Sequence, residues 1–324
     1  MTQNAFKIPR EIQAISGAKL ISLLTSQAKN EMVELAARTL SGIVIHYAAQ
    51  NGVVRRFGNV ANITPSMNAI PIVDSNSLEV SHVARLETKD PGDTTPRLKL
   101  VDPNPSKTYV RYIFSDELLE DSVALLNAMA KGAGNAIASD EDRNAFIGDG
   151  SESSGFVVGI VDALQASSLQ SAATGNTSVD TLDIDDFLNV SEKLPELDAE
   201  KPRWFMSRSA YTKSVLRLAG ADALTQSSPD DADGWLLNHR VHFIPGMPSA
   251  DAAAGSTVAL FGHLDQATVL GDYGDLRVTE HEIFSTCQTA VSIRKMSDFV
   301  CWDQGSTDPN DPAGAIVGLQ LAEV

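Results

Sequence analysis

The longest amphipathic pattern in the chain follows Ser115 and is typical of one long α-helix. Apolar residues recur there in alternating steps of four and three: Leu119, Val123, Leu126, Ala130, Ala133 and Ile137. Such a series lies on one face of a helix. We predict a helix from Asp116 to about Asn144, ~43 Å long at 1.5 Å per residue, with Ser115 as its N-cap.

Two glycines, Gly132 and Gly134, lie inside this pattern. Each costs a helix roughly 1 kcal/mol relative to alanine, so their presence needs a structural reason. We expect either a close approach by another part of the backbone or a bend. The pattern stops at Gly148-Asp149-Gly150, and we interpret the segment GDGSESSG as a structural corner.

Residues 11–50 are also predicted to be helical. Apolar residues recur there close to the helical period, and Asn51-Gly52 ends the pattern. The residues of this stripe are Met32, Leu35, Leu40, Ile43 and Tyr47. The stripe would face either the core of the chain or a partner.

Residues 53–114 show the shorter alternation of β-strands. Six prolines between Pro65 and Pro105 exclude a long helix. The runs LEVSHVARLE, PRLKLV and KTYVRYIF alternate apolar with polar residues, and KDPGDTTP between them is typical of a turn. We predict a long hairpin. An isolated hairpin is at best marginally stable in water, so its apolar face is expected to lie on something else.

The region after residue 165 mixes short helices with short strands. DIDDFLNVSEKLP and SRSAYTKSVLRLAG are predicted helices, and the second would be capped by Ser207 or Ser209 and end at Gly220. Predicted strands lie in PRWFM, HRVHFIPGMP, STVALFG, ATVLGDY and DLRVTEHEIFSTCQTAVSIRKMSDFVCWD. The whole pattern predicts an α+β fold.

Composition and charge narrow the class of protein. Hydrophobic residues make up 43% and charged residues 21% of the 324 residues, which is typical of a folded globular chain. The net charge of −17 argues against a nucleic-acid reader, because the densest basic spot is only Arg55-Arg56. Cys287 and Cys301 suit a reducing compartment. No apolar run approaches the roughly 20 residues of a membrane span, and no signal peptide is recognisable. We expect synthesis in a cytoplasm and no membrane partner.

No catalytic, cofactor-binding or metal-ligating constellation emerges from the sequence. GDGSESSG closes a helix instead of opening one, and it lacks both Gly-Lys-Ser and the alternating acids of an EF-hand. His239 and His242 would need a third ligand to hold a metal. Ser26–Lys29 and Ser292–Lys295 have Ser-x-x-Lys spacing without its usual partner motifs. The chain is expected not to be an enzyme, and a serine hydrolase using Ser292 and Lys295 is a distant alternative.

The order of these segments resembles the major capsid proteins of tailed bacteriophages with the HK97 fold. Residues 115–160 are similar to the spine helix and Gly-Asp-Gly turn of that family, and RWFMSRSAYTKSVLRL to its strand leading into a helix. LLNHRVHFIPGMP and VALFGHLDQATVLGDYGDLRV are similar to its Met-Pro turn and Phe-Gly-Asp segments. Two departures are NHRV in place of Gly-x-Pro-Val and His263 in place of the Asp. The match extends over residues 50–303.

The resemblance implies a domain for each segment. Residues 1–50 would be the N-terminal arm, and 51–114 the extended hairpin (E-loop) with flanking strands of the peripheral (P) domain. Residues 115–164 and 276–303 would form the P-domain, built on the spine helix and a long β-hairpin. Residues 165–275 and 304–324 would form the α/β axial (A) domain and the C-terminal tail.

The implied function is self-assembly into hexamers and pentamers of an icosahedral head around packaged double-stranded DNA, inside the bacterial host cytoplasm. An acidic inner wall would repel DNA and so favour its packing and ejection. The resemblance implies a portal protein as a partner and leaves open a cement (decoration) protein. Only about 50 residues precede the E-loop, so we expect a separate scaffolding protein, or assembly without one. An encapsulin-type nanocompartment shell is the alternative.

One family member joins its subunits covalently, through an E-loop lysine and an asparagine of the P-domain, with a glutamate seven residues later. Lys89 is a candidate for the lysine, but Cys287 and Arg294 occupy the asparagine and glutamate positions. The neighbouring residues Thr286, Gln288, Ile293 and Lys295 supply no Asn/Glu pair. We therefore expect a shell held together by non-covalent contacts.

Overall fold

The fold combines helices with mostly antiparallel strands, which confirms the predicted α+β class. A computed structural model describes residues 31–63, 70–73, 98–101, 104–115, 123–197, 201–219 and 234–323. The helices are α1 (Glu31–Asn51), α2 (Val53–Phe57), α3 (Val123–Ile147), α4 (Ile160–Ala163), α5 (Ile184–Lys193), α6 (Arg208–Lys213), α7 (Val215–Ala219) and α8 (Leu264–Ala267). The strands are β1 (Asn59–Ile63), β2 (Ile70–Val73), β3 (Leu98–Val101), β4 (Ser106–Ser115), β5 (Leu169–Ser171), β6 (Arg203–Met206), β7 (Gly234–Leu236), β8 (His239–Phe243), β9 (Thr257–Gly262), β10 (Thr268–Tyr273), β11 (Arg277–Ile283), β12 (Gln288–Cys301) and β13 (Ile316–Gln320).

The first sheet is built around β12, a strand of 14 residues. Its strand order is β1-β10-β12-β11, and β4 pairs with the edge of β12 opposite β11. β4 runs antiparallel to β12 over ten pairs, from Ser106 opposite Ser297 to Ser115 opposite Gln288. Ser115, the predicted N-cap, is therefore the last residue of a strand. The predicted helix start at 116–122 lies outside the described residues.

The long helix α3 covers one face of this sheet. Its described bounds are Val123–Ile147, three residues beyond the predicted end. Ala130, Ala133 and Ile137 are buried against α1 and the sheet, which confirms this half of the predicted apolar seam. The side chains of Leu119, Val123 and Leu126 lie outside the described part. Sheet residues that pack in the same cluster are Val110, Tyr112, Phe114, Val278, Val291 and Ile293.

Gly134 marks a close approach by another backbone segment, as predicted, whereas Gly132 marks a close approach by a side chain. A Cβ on Gly134 would lie 2.7 Å from the carbonyl oxygen of Val44, in α1. A Cβ on Gly132 would lie 2.7 Å from the hydroxyl of Tyr112. Helix α1 ends at Asn51, where the sequence pattern ends, and its buried residues Ile43 and Val44 face the core of the chain.

The second sheet has the strand order β5-β13-β9-β6-β8-β7, and all six residues of β9 are buried. The single helix predicted after β6 is divided into α6 and α7 at Ser214, whose hydroxyl donates to the carbonyl of Ala210 at 2.7 Å. Ser207, rather than Ser209, caps α6 by accepting the N–H of Ala210. The predicted end at Gly220 lies outside the described residues.

A shared core joins the two sheets. Phe146 of α3 and Phe205 of β6 have ring centroids 5.4 Å apart. Leu260 of β9 belongs to the same buried cluster as Leu270 of β10 and Phe299 of β12. Strand β10 therefore belongs to the first sheet and also packs in a core that residues of the second sheet share.

The segment between α1 and β4 contains a β-hairpin and an unpredicted helix. Of the predicted runs, PRLKLV contributes β3 to this hairpin and KTYVRYIF forms β4 on the first sheet, whereas β2 lies outside the predicted runs. β2 and β3 pair antiparallel, from Ile70 opposite Val101 to Val73 opposite Leu98. The run LEVSHVARLE lies outside the described residues. The short helix α2 was missed because its N-terminal N–H groups are capped by Asp142 of α3, at 2.9 Å each, and no local pattern signals this contact.

Candidate functional site

The corner after α3 is held by Asp149. Its Oδ1 accepts hydrogen bonds from the N–H of Ser151 at 3.0 Å, from its hydroxyl at 2.6 Å and from the hydroxyl of Ser154 at 2.8 Å. These bonds lower the pKa of Asp149 to about 2. A Cβ on Gly159 would lie 2.5 Å from the backbone nitrogen of Gly148, so two backbone segments touch here. The carboxylate is engaged within its own turn, and the segment serves as a structural corner.

Ser292 and Lys295 do not form a catalytic dyad. They are three residues apart on β12, so their side chains lie on opposite faces of the sheet. The Lys295 ammonium contacts Glu141 and Asp272 on the face that α3 covers. A nucleophile and its base must lie within hydrogen-bond reach, and the hydrolase hypothesis is therefore wrong. The second candidate pair, Ser26 and Lys29, lies outside the described residues.

The two histidines of β8 also lie on opposite faces of their strand, because they too are three residues apart. The His239 ring lies against Phe261, with centroids 5.0 Å apart, and the His242 ring lies 4.5 Å from Phe57. Within the described ranges no group of three His, Cys, Asp or Glu residues has metal-binding geometry. In those same ranges no helix is long and apolar enough to cross a membrane.

The chemically most concentrated feature is a buried charge cluster between α3 and the first sheet. It comprises Arg55, Glu141, Asp142, Asp272 and Lys295. The Arg55 guanidinium donates to Glu141 at 2.5 and 2.9 Å and to Asp272 at 2.9 and 3.0 Å. The Lys295 ammonium contacts Glu141, and it lies 2.6 Å from Asp272.

Burial and charge pairing have opposite effects on the pKa values of this cluster. Burial raises the pKa of Glu141 to about 8, although the charge of Arg55 acts in the opposite direction. Burial likewise raises the pKa of Asp142 to about 6, against the N–H groups of Val54 and Val53. Burial alone would lower the pKa of the Arg55 guanidinium, but Glu141 and Asp272 raise it overall.

The cluster connects four elements rather than performing chemistry. Arg55 comes from α2, Glu141 from α3, Asp272 from β10 and Lys295 from β12. Each cation reaches both shared carboxylates, and the side chains of Arg55, Glu141 and Lys295 are no more than 5% exposed. No substrate can reach them without opening the helix–sheet contact. The cluster therefore fixes α3 on the sheet.

Sequence reasoning missed this cluster, although one signal was present. The apolar seam of α3 continues from Ile137 in a step of four to Glu141. A carboxylate on the buried stripe of a helix requires a cationic partner. Arg55-Arg56 is the densest basic spot of the sequence, and Arg55 is the cationic partner of Glu141.

Comparison with known proteins identifies the family. The model of the Phage capsid family matches residues 34–306, which is more than four fifths of the chain. A comparison with curated protein sequences gives no match.

Several solved structures share the fold. The capsid of an empty GTA particle superposes with a TM-score of 0.60 at 18% identity, over 84% of this chain and 90% of that chain. A chain from Microbacterium phage Oxtober96 gives 0.55 at 11% identity, over 84% and 91%. The holo-SrpI encapsulin of Synechococcus elongatus gives 0.52 at 11%, over 82% and 86%.

These fold likenesses include both phage capsids and an encapsulin, so the fold alone does not separate the two. The family model does separate them, because it describes phage capsids and extends over both sheets and the long helix. The chain belongs to the Phage capsid family: it is an HK97-like major capsid protein, a structural and non-enzymatic component of a virion shell into which it self-assembles.

Proposed function

We propose that this chain forms the hexamers and pentamers of an icosahedral head that encloses packaged double-stranded DNA. The observation that carries the proposal is the β2–β3 hairpin. Its two strands pair with each other and with no third strand among those described. A two-stranded hairpin is marginal in water on its own, so a neighbouring subunit is the expected support.

The proposed domain division keeps the bounds that the resemblance to the family implies. Residues 1–50 act as the N-terminal arm and 51–114 as the E-loop with its flanking strands. Residues 115–164 and 276–303 form the P-domain, and 165–275 with 304–324 form the A-domain and tail. The pairing of β10 with β12 supports extending the P-domain to include 268–273.

Further partners complete the proposal. A portal protein occupies one vertex, a separate scaffolding protein guides assembly where one is used, and a cement protein reinforces the shell where one is present. Assembly takes place in the bacterial host cytoplasm. The packaged DNA lies against the shell without specific binding, since a net charge of −17 disfavours adhesion to phosphate.

A loop deletion tests the role of the hairpin. Replacing residues 74–97 by a short Gly/Ser turn keeps both paired strands and removes only the segment between them. The variant is expected to remain a folded subunit, by circular dichroism and sedimentation, and to form no stable shells in negative-stain images. A variant with a Gly/Ser insertion in the exposed turn at 308–311 is the control for chain-length changes. Normal shells from the deletion variant would refute the interface role.

The contents of natural particles separate a phage head from an encapsulin. Particles containing this chain, purified from a phage lysate and treated with nuclease, are expected to retain double-stranded DNA of phage-genome length. A protein cargo with no protected DNA would support the encapsulin alternative.

A further inference from the structure

The first sheet has a second face, which α3 does not cover. Along β4 every second side chain from Lys107 to Ser115 is exposed, including Tyr109 at 58% and Ile113 at 51%. The strand register places these residues in rows with residues of β12 and β11. We call this surface the basic sheet face and define it by Lys107, Tyr109, Arg111, Ile113, Arg277 and Arg294.

This face is cationic although the chain is strongly acidic. Its outward positions on β4, β11 and β12 include four Lys or Arg and one acid, Asp298, which is buried and accepts the N–H of Asn104. The whole chain has 42 acidic and 25 basic residues. Among the described residues these strands present no exposed acid on this face, which is contrary to the overall composition.

Two of the cations are placed directly against each other. Arg277 of β11 and Arg294 of β12 are partners in the register, and Tyr109 of β4 lies on the other side of Arg294. Like charges directly opposite on neighbouring strands are destabilising. None of the four cations of this face forms an ion pair with another described residue. A carboxylate from outside would relieve the repulsion between Arg277 and Arg294.

We propose that the basic sheet face docks an acidic surface of a second copy of this chain in the shell. This inference rests on the proposed function and names one of its contacts. A copy with a net charge of −17 supplies the complementary carboxylates. Tyr109 and Ile113 supply apolar area, and aromatic residues and arginine are enriched in protein interfaces.

The same charges determine the symmetry of the contact. A two-fold contact places the same patch on both partners. Two basic sheet faces would then oppose each other, with eight cations and no exposed acid from the described strands between them. The contact is therefore heterologous: the basic face of one copy meets a different, acidic face of the next. Such contacts close into rings when the rotation permits.

Packaged DNA fits this face less well. A DNA-binding surface neutralises phosphates with many cations, whereas this face has only four, interleaved with exposed apolar side chains. The rest of the acidic chain would repel the duplex. The experiment must therefore distinguish DNA from a second copy of the chain as the occupant of this face.

Charge reversal of the face tests the proposal. Arg111→Glu with Arg277→Glu is expected to yield a subunit with the circular dichroism and melting temperature of the wild type, and at least about tenfold fewer shells. Lys131→Glu with Lys201→Glu changes the net charge equally at exposed positions elsewhere, and it is expected to assemble normally. Equal assembly of the two variants, or equal loss in both, would overturn the proposal.

Photo-crosslinking identifies the occupant without relying on the folding of a charge-reversed variant. Tyr109 is replaced by a photoreactive phenylalanine analogue, and shells are grown from mixed ¹⁴N and ¹⁵N subunits. Mixed-isotope crosslinks to an Asp/Glu-rich peptide of this chain are expected. Crosslinks found exclusively within one isotope, or only to DNA in filled heads, would overturn the assignment. A wild-type chain that forms no shells would instead refute the proposed function.

Discussion

Glu141 and Lys295 form a buried ion pair that joins the long helix to the central strand of the first sheet. Arg55 and Asp272 belong to the same cluster, and each of the two cations contacts both Glu141 and Asp272. Buried pairs of this kind contribute little net stability compared with apolar residues, but removing one partner leaves a charge uncompensated. The cluster is therefore expected to specify where α3 lies on the sheet, and its removal is expected to be costly.

Loss of one cation should destabilise the subunit strongly. Lys295→Met removes the ammonium that contacts both Glu141 and Asp272, and we expect it to lower the free energy of unfolding by about 3–5 kcal/mol. Lys131→Met, at an exposed position of α3, should change it by less than about 0.5 kcal/mol. Urea unfolding of unassembled subunits measures both values. Similar values for the two variants would show that removing the Lys295 charge from the buried cluster does not destabilise the subunit.

The stability of the subunit should depend on pH through Glu141. Folding raises the pKa of this carboxyl from 4.5 to about 8, so the folded chain retains a proton that the unfolded chain releases. Its contribution to stability is complete below about pH 4.5 and is lost as the pH rises to about 8, with a slope of at most ~1.4 kcal/mol per pH unit.

Glu141→Gln removes this titration, so a comparison of the wild type with the variant isolates its effect on stability. The difference in free energy of unfolding between wild type and variant should fall from about pH 5 to about pH 8 and stay level above that. Asp142 shifts in the same direction, to about 6, and its charge also raises the pKa of Glu141, so the difference reports the titration of Glu141 together with this coupling. A difference that is constant or that increases with pH would contradict the assignment.

Gly134, at the crossing of α1 and α3, should not tolerate replacement by alanine even though it lies inside a helix. Gly134→Ala gains helix propensity, but its Cβ would lie 2.7 Å from the backbone oxygen of Val44. We expect a net loss of about 1–3 kcal/mol because two backbones must separate. Gly42→Ala is the matched control, since its Cβ would have no neighbour within 4 Å. That variant should be stabilised by up to about 1 kcal/mol, as thermal melts of the two subunits would show.

How far the fold follows from sequence differs between these elements. The period of Ala130, Ala133 and Ile137 predicted the buried face of α3, because packing against one side of a helix imposes a local repeat. The glycines predicted a close approach but not its partner, since α1 and α3 are far apart in the chain. Helix α2 and the charge cluster depend on Asp142 and Asp272, which reach their partners only after folding. No local pattern encodes such contacts.

The last prediction is that the shell contains no covalent cross-links between subunits. An isopeptide bond of the known type requires a lysine amine, an amide carbon to attack and a carboxylate to move the proton. Cys287, at the amide position, is exposed in the turn between β11 and β12 with φ +50°, and a thiol offers no amide. Arg294, at the carboxylate position, lies on the basic sheet face and cannot act as a base.

The neighbouring residues do not replace the missing groups. Gln288 has an amide, but it lies opposite Ser115 and Ile283 on the outward face. Glu282 lies opposite Thr289, on the other face of the sheet. Lys89, the candidate amine, lies outside the described residues. Boiled, reduced virions should therefore run on a denaturing gel as one band near 34.6 kDa. A ladder of multiples that survives boiling and reduction would show that another amide and carboxylate perform the reaction.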